Sequence, residues 1–382
     1  MEHAYKNIAI IGAGASGCMC AYFLQNKGFD ITLFDKGEPL RTLLPTGGGR
    51  CNLSHAEFET KELAKNYPRG EKFLYSVFSR YGTADTLETF EQLGIKTYTQ
   101  ENGRIFPESN SSKEVRSSIL ANIKHTQFIK EEVILIEPIN DGFKIKTKHT
   151  TKEQSYFFSH VVIAIGGHAG CQLAERLNIK TIQQRPSLVG LSTKEDFQKL
   201  SGTVIKGVSF SGISDDLLFT HFGISGPLIY KISSLKAFDK MPYSLTLDLC
   251  PELKNLQEEL NLNPHKDIKN ILNKYLPQKL ILHILQDLDS STKAHRIDGK
   301  TRDLILNRVH HFKVCILSTN KGEETVSAGG IDLDEINPKT MEVKKTRNLY
   351  AIGEILNIDG FCGGFNLQNA WSTAYICAKA LS

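Results

Sequence analysis

The chain has 382 residues, 46 Lys and Arg against 42 Asp and Glu, a formal net charge of +4 and a pI near 8.5. That length suits two or three domains, and 40% hydrophobic with 23% charged residues is an ordinary globular composition rather than a disordered or fibrous one. The mild positive charge would draw anionic small molecules, but no basic stripe interleaves with aromatics, so no nucleic-acid partner is expected.

Residues 7–26 carry no charge and superficially resemble an export or membrane segment. Gly12, Gly14 and Gly17 break the apolar continuity that such a segment needs. Ile8, Ala9, Ile10 and Ile11 instead form the short apolar run of a strand buried on both faces. Ala21, Leu24 and Gln25 follow on a helix that stops near Gly28, and Ile31 to Phe34 supply a second strand. The product is a right-handed βαβ unit. No membrane partner and a cytoplasmic location are expected. The eight cysteines show no C-x-x-C pair and the twelve histidines no ligand spacing, so reduced thiols and no metal are expected.

Within this unit, Gly12 permits a tight turn, Gly14 lets backbone N–H groups approach a pyrophosphate, and Gly17 lets helix and strand pack closely. Asp35, at the end of the second strand, is placed to accept hydrogen bonds from a ribose. A purely structural glycine turn is the alternative. The acid disfavours a 2′-phosphate, so FAD or NAD is preferred to NADP.

Pro45-Thr46-Gly47-Gly48-Gly49-Arg50-Cys51-Asn52-Leu53-Ser54 comes next. Its glycines expose amides that suit an anion or a flat ring, Arg50 offers a cationic fork, and Asn52 offers donor and acceptor. The run reads equally as a surface loop, and Cys51 reads either as a redox thiol or as small buried packing. Helical patterning over Thr83 to Leu93 and Ser112 to Ile123 leads to strands at Glu132 to Ile136 and Phe143 to Thr147. Val161 to Ile165 is a second apolar strand, closed by Gly166 and Gly167; alone it fits any buried strand and turn.

After about Pro186 the pattern changes. Val204 to Ser211 and Leu217 to Thr220 read as short strands, with Gly226-Pro227 a rigid turn, and Leu245, Leu247 and Leu249 alternate as in a half-buried strand. Ile268, Ile271, Leu272, Tyr275 and Leu276 follow helical spacing, and Pro277 starts a second helix bearing Leu280, Ile281, Ile284 and Leu285. Rossmann-like character resumes from Leu349 to Gly353. Glu354 ends that strand, where a carboxylate binds sugar or ribityl hydroxyls. The glycines of Asp359-Gly-Phe-Cys-Gly-Gly364-Phe365-Asn366-Leu367-Gln368 lead into a helix running to Leu381, whose N-terminus would stabilise negative charge on a reduced isoalloxazine. The expected fold is α/β, with a discontinuous Rossmann-type FAD-binding domain (1–186 plus 325–382) around an inserted β-rich and helical unit.

Gly47-Gly-Gly-Arg-Cys-Asn52 and Asp359 to Gln368 resemble the signatures of a bacterial FAD-dependent flavoprotein family that includes aminoacetone oxidases and bile-acid-type enone reductases. Leu218-Phe-Thr-His-Phe-Gly-Ile-Ser-Gly-Pro227 and Ser327-Ala-Gly-Gly-Ile331 extend the likeness over nearly the whole chain. The resemblance implies that this insert is a β-rich barrel-like domain (187–250 plus 312–324) and a small helical domain (251–311). It also implies non-covalent FAD and a set of cofactor residues. These are Gly12, Gly14, Ala15, Ser16 and Gly17; Asp35 and Lys36; Thr46, Gly47, Gly48, Gly49, Arg50, Cys51 and Asn52; and Val133, through its backbone to adenine. Ala164, Gly166 and Gly167, with Gly353, Glu354, Asp359, Gly364, Phe365, Asn366, Leu367 and Gln368, complete it. Members often carry Lys where this chain has Thr42, so that cationic contact is not implied here.

The flavin carries the chemistry at N5, with His221 and Arg50 as candidate catalytic side chains; a structural role for His221 stays open. Arg104 and Arg185 are candidates for a substrate carboxylate, and equally for solvated or cofactor-neighbouring roles. No second glycine fingerprint exists for a nicotinamide domain. The expectation is a hydride-transferring oxidoreductase acting on a small or hydrophobic organic substrate, with O2 or transiently docked NAD(P)H as the other redox partner. An RNA-modifying flavoprotein and a non-catalytic redox sensor using Cys51 and Cys362 are the alternatives.

Overall fold

The computed structural model describes residues 6–149, 152–320 and 326–382. The chain divides into two compact units, Met1–Arg185 with Val326–Ser382, and Pro186–Thr325. The expected boundary at 324/325 lies outside the described residues.

In the first unit, five strands run in the order Leu349–Ala351, His160–Ile163, Lys6–Ile11, Phe29–Phe34 and Gln127–Ile129, every pair parallel. Ile8 to Ile11 and Val161 to Ile163 are fully buried, as strands covered on both faces must be. The helix Ala15–Leu24 crosses from the first strand to the second, and the long helix Phe365–Leu381 packs against it. Trp371, at the heart of that long helix, is completely buried, with its indole N–H donating to Leu53 O at 2.9 Å. The strands Glu132–Ile139, Gly142–His149 and Lys152–Phe158 form a separate antiparallel sheet, longer than the sequence pattern indicates.

The second unit holds a six-stranded antiparallel sheet in the order Val204–Phe210, Ile213–Thr220, Gly223–Ser225, Leu191–Thr193, Phe312–Thr319 and Tyr243–Leu247. Its two outer strands meet: Ser209 and Asp248 exchange backbone hydrogen bonds of 2.8 and 2.9 Å, which curls the sheet into a barrel-like form. The helices Leu256–Leu262, Ile268–Leu272, Gln278–Ile284 and Gly299–His310 share one hydrophobic cluster with that sheet. Gly226-Pro227, read above as a turn, starts a helix instead, Pro227–Leu235. Proline suits the first helical position because its missing N–H has no acceptor there, and Leu228, Ile229 and Ile232 bury the inner face.

The βαβ unit depends on backbone packing tightly against backbone. A side chain begun at Gly17 would place its Cβ 1.9 Å from Gly12 O. Gly17→Ala therefore pushes the first helix off the sheet and is expected to cost about 2 kcal/mol or more in urea unfolding. A midpoint equal to that of the unchanged protein would contradict this.

Candidate functional site

The first fingerprint closes as the sequence requires. Gly12 adopts φ +111 and its N–H donates to Phe34 O at 2.8 Å, tying the loop to the neighbouring strand. Asp35 accepts from Ala13 N through one carboxylate oxygen and from Gly37 N through the other, both at 2.8 Å. It therefore shapes the loop while keeping lone pairs for a hydroxyl donor. The first bond of the helix runs from Cys18 N to Gly14 O (3.0 Å), so the amides of Ala15, Ser16 and Gly17 have no acceptor inside the helix. These amides form the positive pole for an anion.

Two other segments reach this pole. Ala164 donates its N–H to Ile11 O at 2.8 Å and its backbone lies against Gly12, while Gly353 abuts the Ser16 side chain. The Glu354 carboxylate lies against Gly166 and accepts from Ser327 N at 3.1 Å. Its side chain is open to solvent yet is otherwise ringed by protein, and this burial, aided by the charge of Asp359, pushes its carboxyl above the ordinary range. Asp359, five residues on, is fully buried and held by a two-pronged ion pair with Arg69.

The glycine run Thr46–Gly49 is a tight turn in which Gly47, Gly48 and Gly49 take φ of +58, +70 and +84, followed by Cys51 at φ +64. Side chains begun at Gly48, Gly49 or Gly167 would meet nothing within 4 Å, so these loops border open space. Arg50 lies 4.2 Å over the Phe106 ring and donates from Nε to Gly47 O at 3.2 Å. Cys51 is completely buried, and burial pushes its thiol up to about 12, the wrong protonation state for a redox-sensing thiolate.

Asn52 spends its amide inside the protein. Nδ2 donates to Ile105 O (3.1 Å) and Ser54 O (2.9 Å), and Oδ1 accepts from Gly364 N (3.0 Å), at the start of the long helix. Gln368 is equally committed: Ser54 Oγ donates to its Oε1 at 2.5 Å, and its Nε2 donates to Ser372 Oγ at 2.9 Å. Asn366 clamps its own loop through paired 2.8 Å bonds with Gly360. Phe365 is gripped between the His55 ring, stacked at 4.7 Å, and Tyr67, whose hydroxyl donates to Phe365 O at 2.6 Å. The amides of Phe365, Asn366 and Leu367 open the helix without acceptors in it.

Other expected positions stand apart from these contacts. Lys36 is exposed and pairs with Glu132 at 3.2 Å, and Val133 lies buried at a bulge in its sheet. His221, in the second unit, is exposed and packs edge-on against Phe222 at 5.1 Å, making no hydrogen bond to another described residue. Arg185 is exposed and donates to Gln183. Thr42 does face the phosphate loop, its hydroxyl 4.0 Å from where a Gly14 side chain would begin. Sequence reading missed Arg69, Tyr67 and His55. A buried Asp359 demands a cation, but the partner lies 290 residues away and no local spacing could name it. His55 Nε2 faces Asn102 O at 3.1 Å and burial lowers its pKa, fixing a neutral ring with a buried, partnerless Nδ1.

A family model described as the HI0933-like protein Rossmann domain matches residues 6–380. A ribosomal RNA dihydrouridine synthase of Haemophilus influenzae is 31% identical over 99% of both chains. A 3-dehydro-bile acid delta(4,6)-reductase of Clostridium scindens is 27% identical over 98% of both chains. The open conformation of a flavocytochrome c3 fumarate reductase shares the fold, with a TM-score of 0.52 at 13% identity over 99% of this chain and 78% of that one. These residues fit FAD: a helix N-terminus for the diphosphate, Asp35 and Glu354 as hydroxyl acceptors, and a second helix N-terminus for the ring edge.

Two outcomes follow from this geometry. Asn52→Ala leaves buried backbone groups without partners, which costs about 1–3 kcal/mol, and lowers the flavin-to-protein absorbance ratio of the purified protein; an unchanged ratio would sink the latch. At pH 8 about one Cys51 thiol in ten thousand is ionised, given its value of about 12. Iodoacetamide should therefore label the half-buried Cys315 and Cys362 well before Cys51, as read by peptide mass mapping.

Proposed function

The chain belongs to the HI0933-like Rossmann family of FAD-dependent oxidoreductases, and from that membership we propose that it reduces a carbon–carbon double bond conjugated to a carbonyl. The observation that carries the reading is the shared chemistry of its relatives. One is named for making dihydrouridine and another for reducing the delta(4,6) positions of a 3-dehydro-bile acid. The substrates differ, yet each reaction adds hydrogen across a double bond made electron-poor by a nearby carbonyl.

Bound FAD supplies the hydride exchange at its N5. The chain's own residues supply placement and charge. The Ala15–Gly17 amides hold the diphosphate, while Asp35 and Glu354 accept from hydroxyls. The Phe365–Leu367 amides, held by Asn52, Gln368, His55 and Tyr67, favour negative charge at the ring edge. Asn52, Gln368 and Asn366 act in this reading as positioning residues, because their amides are consumed by the protein. NAD(P)H is the other redox partner, giving its hydride to the FAD that then reduces the double bond. An RNA substrate is the second reading. It is favoured by the 31% identical relative and stands against the expectation of no nucleic-acid partner.

The test is anaerobic. NADH or NADPH should bleach the holoprotein's band near about 450 nm, and a conjugated enone or a uridine-containing RNA should restore it with a reduced product seen by mass spectrometry. Reoxidation by O2 alone, with neither substrate class consumed, would overturn the reading.

A further inference from the structure

Beside the glycine run, the strands Ser54–His55, Arg104–Pro107 and Thr97–Thr99 form a small antiparallel sheet. Its register sets His55 opposite Arg104 and Tyr98 opposite Phe106, so these four side chains share one face. The opposite face carries Ser54 and Ile105, both fully buried. Arg50 joins the first face by lying over Phe106, and its bond from Nε to Gly47 O fixes the plane of the guanidinium. Two half-buried arginines thus stand on one face of one sheet.

Neither is neutralised. The arginines that pair with carboxylates are Arg69, Arg302 and Arg308, and among the described residues Arg50 and Arg104 have no carboxylate within ion-pair distance. Two half-buried like charges on one sheet face repel each other, and an anion placed against that face relieves the repulsion. The guanidinium fork matches the paired oxygens of phosphate or carboxylate. We propose that Arg104, with Arg50 beside it, receives an oxyanion of the substrate. This rests on the reduction of a conjugated substrate argued above and defines that substrate as anionic, through either a phosphate or a carboxylate.

The test uses FAD-loaded protein, titrated by calorimetry and visible difference spectra with inorganic phosphate, uridine, uridine monophosphate, a uridine-containing RNA oligomer and a steroid carboxylate. Anionic probes should bind and displace one another, and neutral uridine should not compete. Arg104→Gln should weaken anion binding by about tenfold or more with FAD content unchanged, and Arg104→Lys should recover part of it. Tight binding of the nucleotide or RNA identifies a phosphate source, and tight binding of the steroid alone identifies a carboxylate. Equal affinities for every anion in Arg104→Gln and the unchanged protein would overturn the proposal. So would loss of FAD from Arg104→Gln, because the arginine would then serve the cofactor. Anion binding through Arg104 without reduction of any conjugated substrate would sink the reduction reading alone.

Discussion

The cofactor face depends on one neutral amide. Asn52 joins its own loop, the neighbouring strand at Ile105 and Gly364, the residue that caps the long helix, through three hydrogen bonds. A few atoms away, Ser54 and Gln368 make the same connection between positions 314 residues apart in the chain. Buried hydrogen bonds of this kind add little net stability when made and cost much more when one partner is lost. The helix N-terminus is therefore set by the opposite end of the chain, and its free amides can be aimed with little residual freedom.

The parallel sheet was legible because burial on both faces demands uninterrupted apolar residues, which Ile8 to Ile11 and Val161 to Ile163 provide. Chain-distant pairing was not legible. Asn52 and Gln368 entered as cofactor contacts through the family resemblance, and the hydrogen bonds that both amides make inside the protein have no local sequence signature. The helix Pro227–Leu235 was hidden by a Gly-Pro pair that marks a turn and a helix start alike. A β-rich and helical insert was readable from its period-two strands and its barrel form only through the family resemblance, while the bridge between Ser209 and Asp248 that curls it has no sequence signature.

Two acids five residues apart show how position decides role. Asp359 is fully buried and gripped by a bidentate arginine, so it acts as a structural tie between Arg69 and the loop before the long helix. Glu354 has a single backbone N–H, no cation, and an opening to solvent, and its proton is held more tightly than usual. One carboxylate is committed to the fold. The other keeps lone pairs that its one backbone donor does not use.

The first unit is assembled from sequence on both sides of Pro186–Thr325, and its outermost parallel strand, Leu349–Ala351, comes late in the chain. During synthesis the strands from Lys6 to Ile163 must therefore leave the ribosome with one flank uncovered. The intervening segment, continuous in sequence and built round its own hydrophobic cluster, can fold before the sheet is completed. A nascent chain halted before Leu349 would present an open apolar sheet edge to chaperones, and the last few dozen codons decide whether that edge is closed.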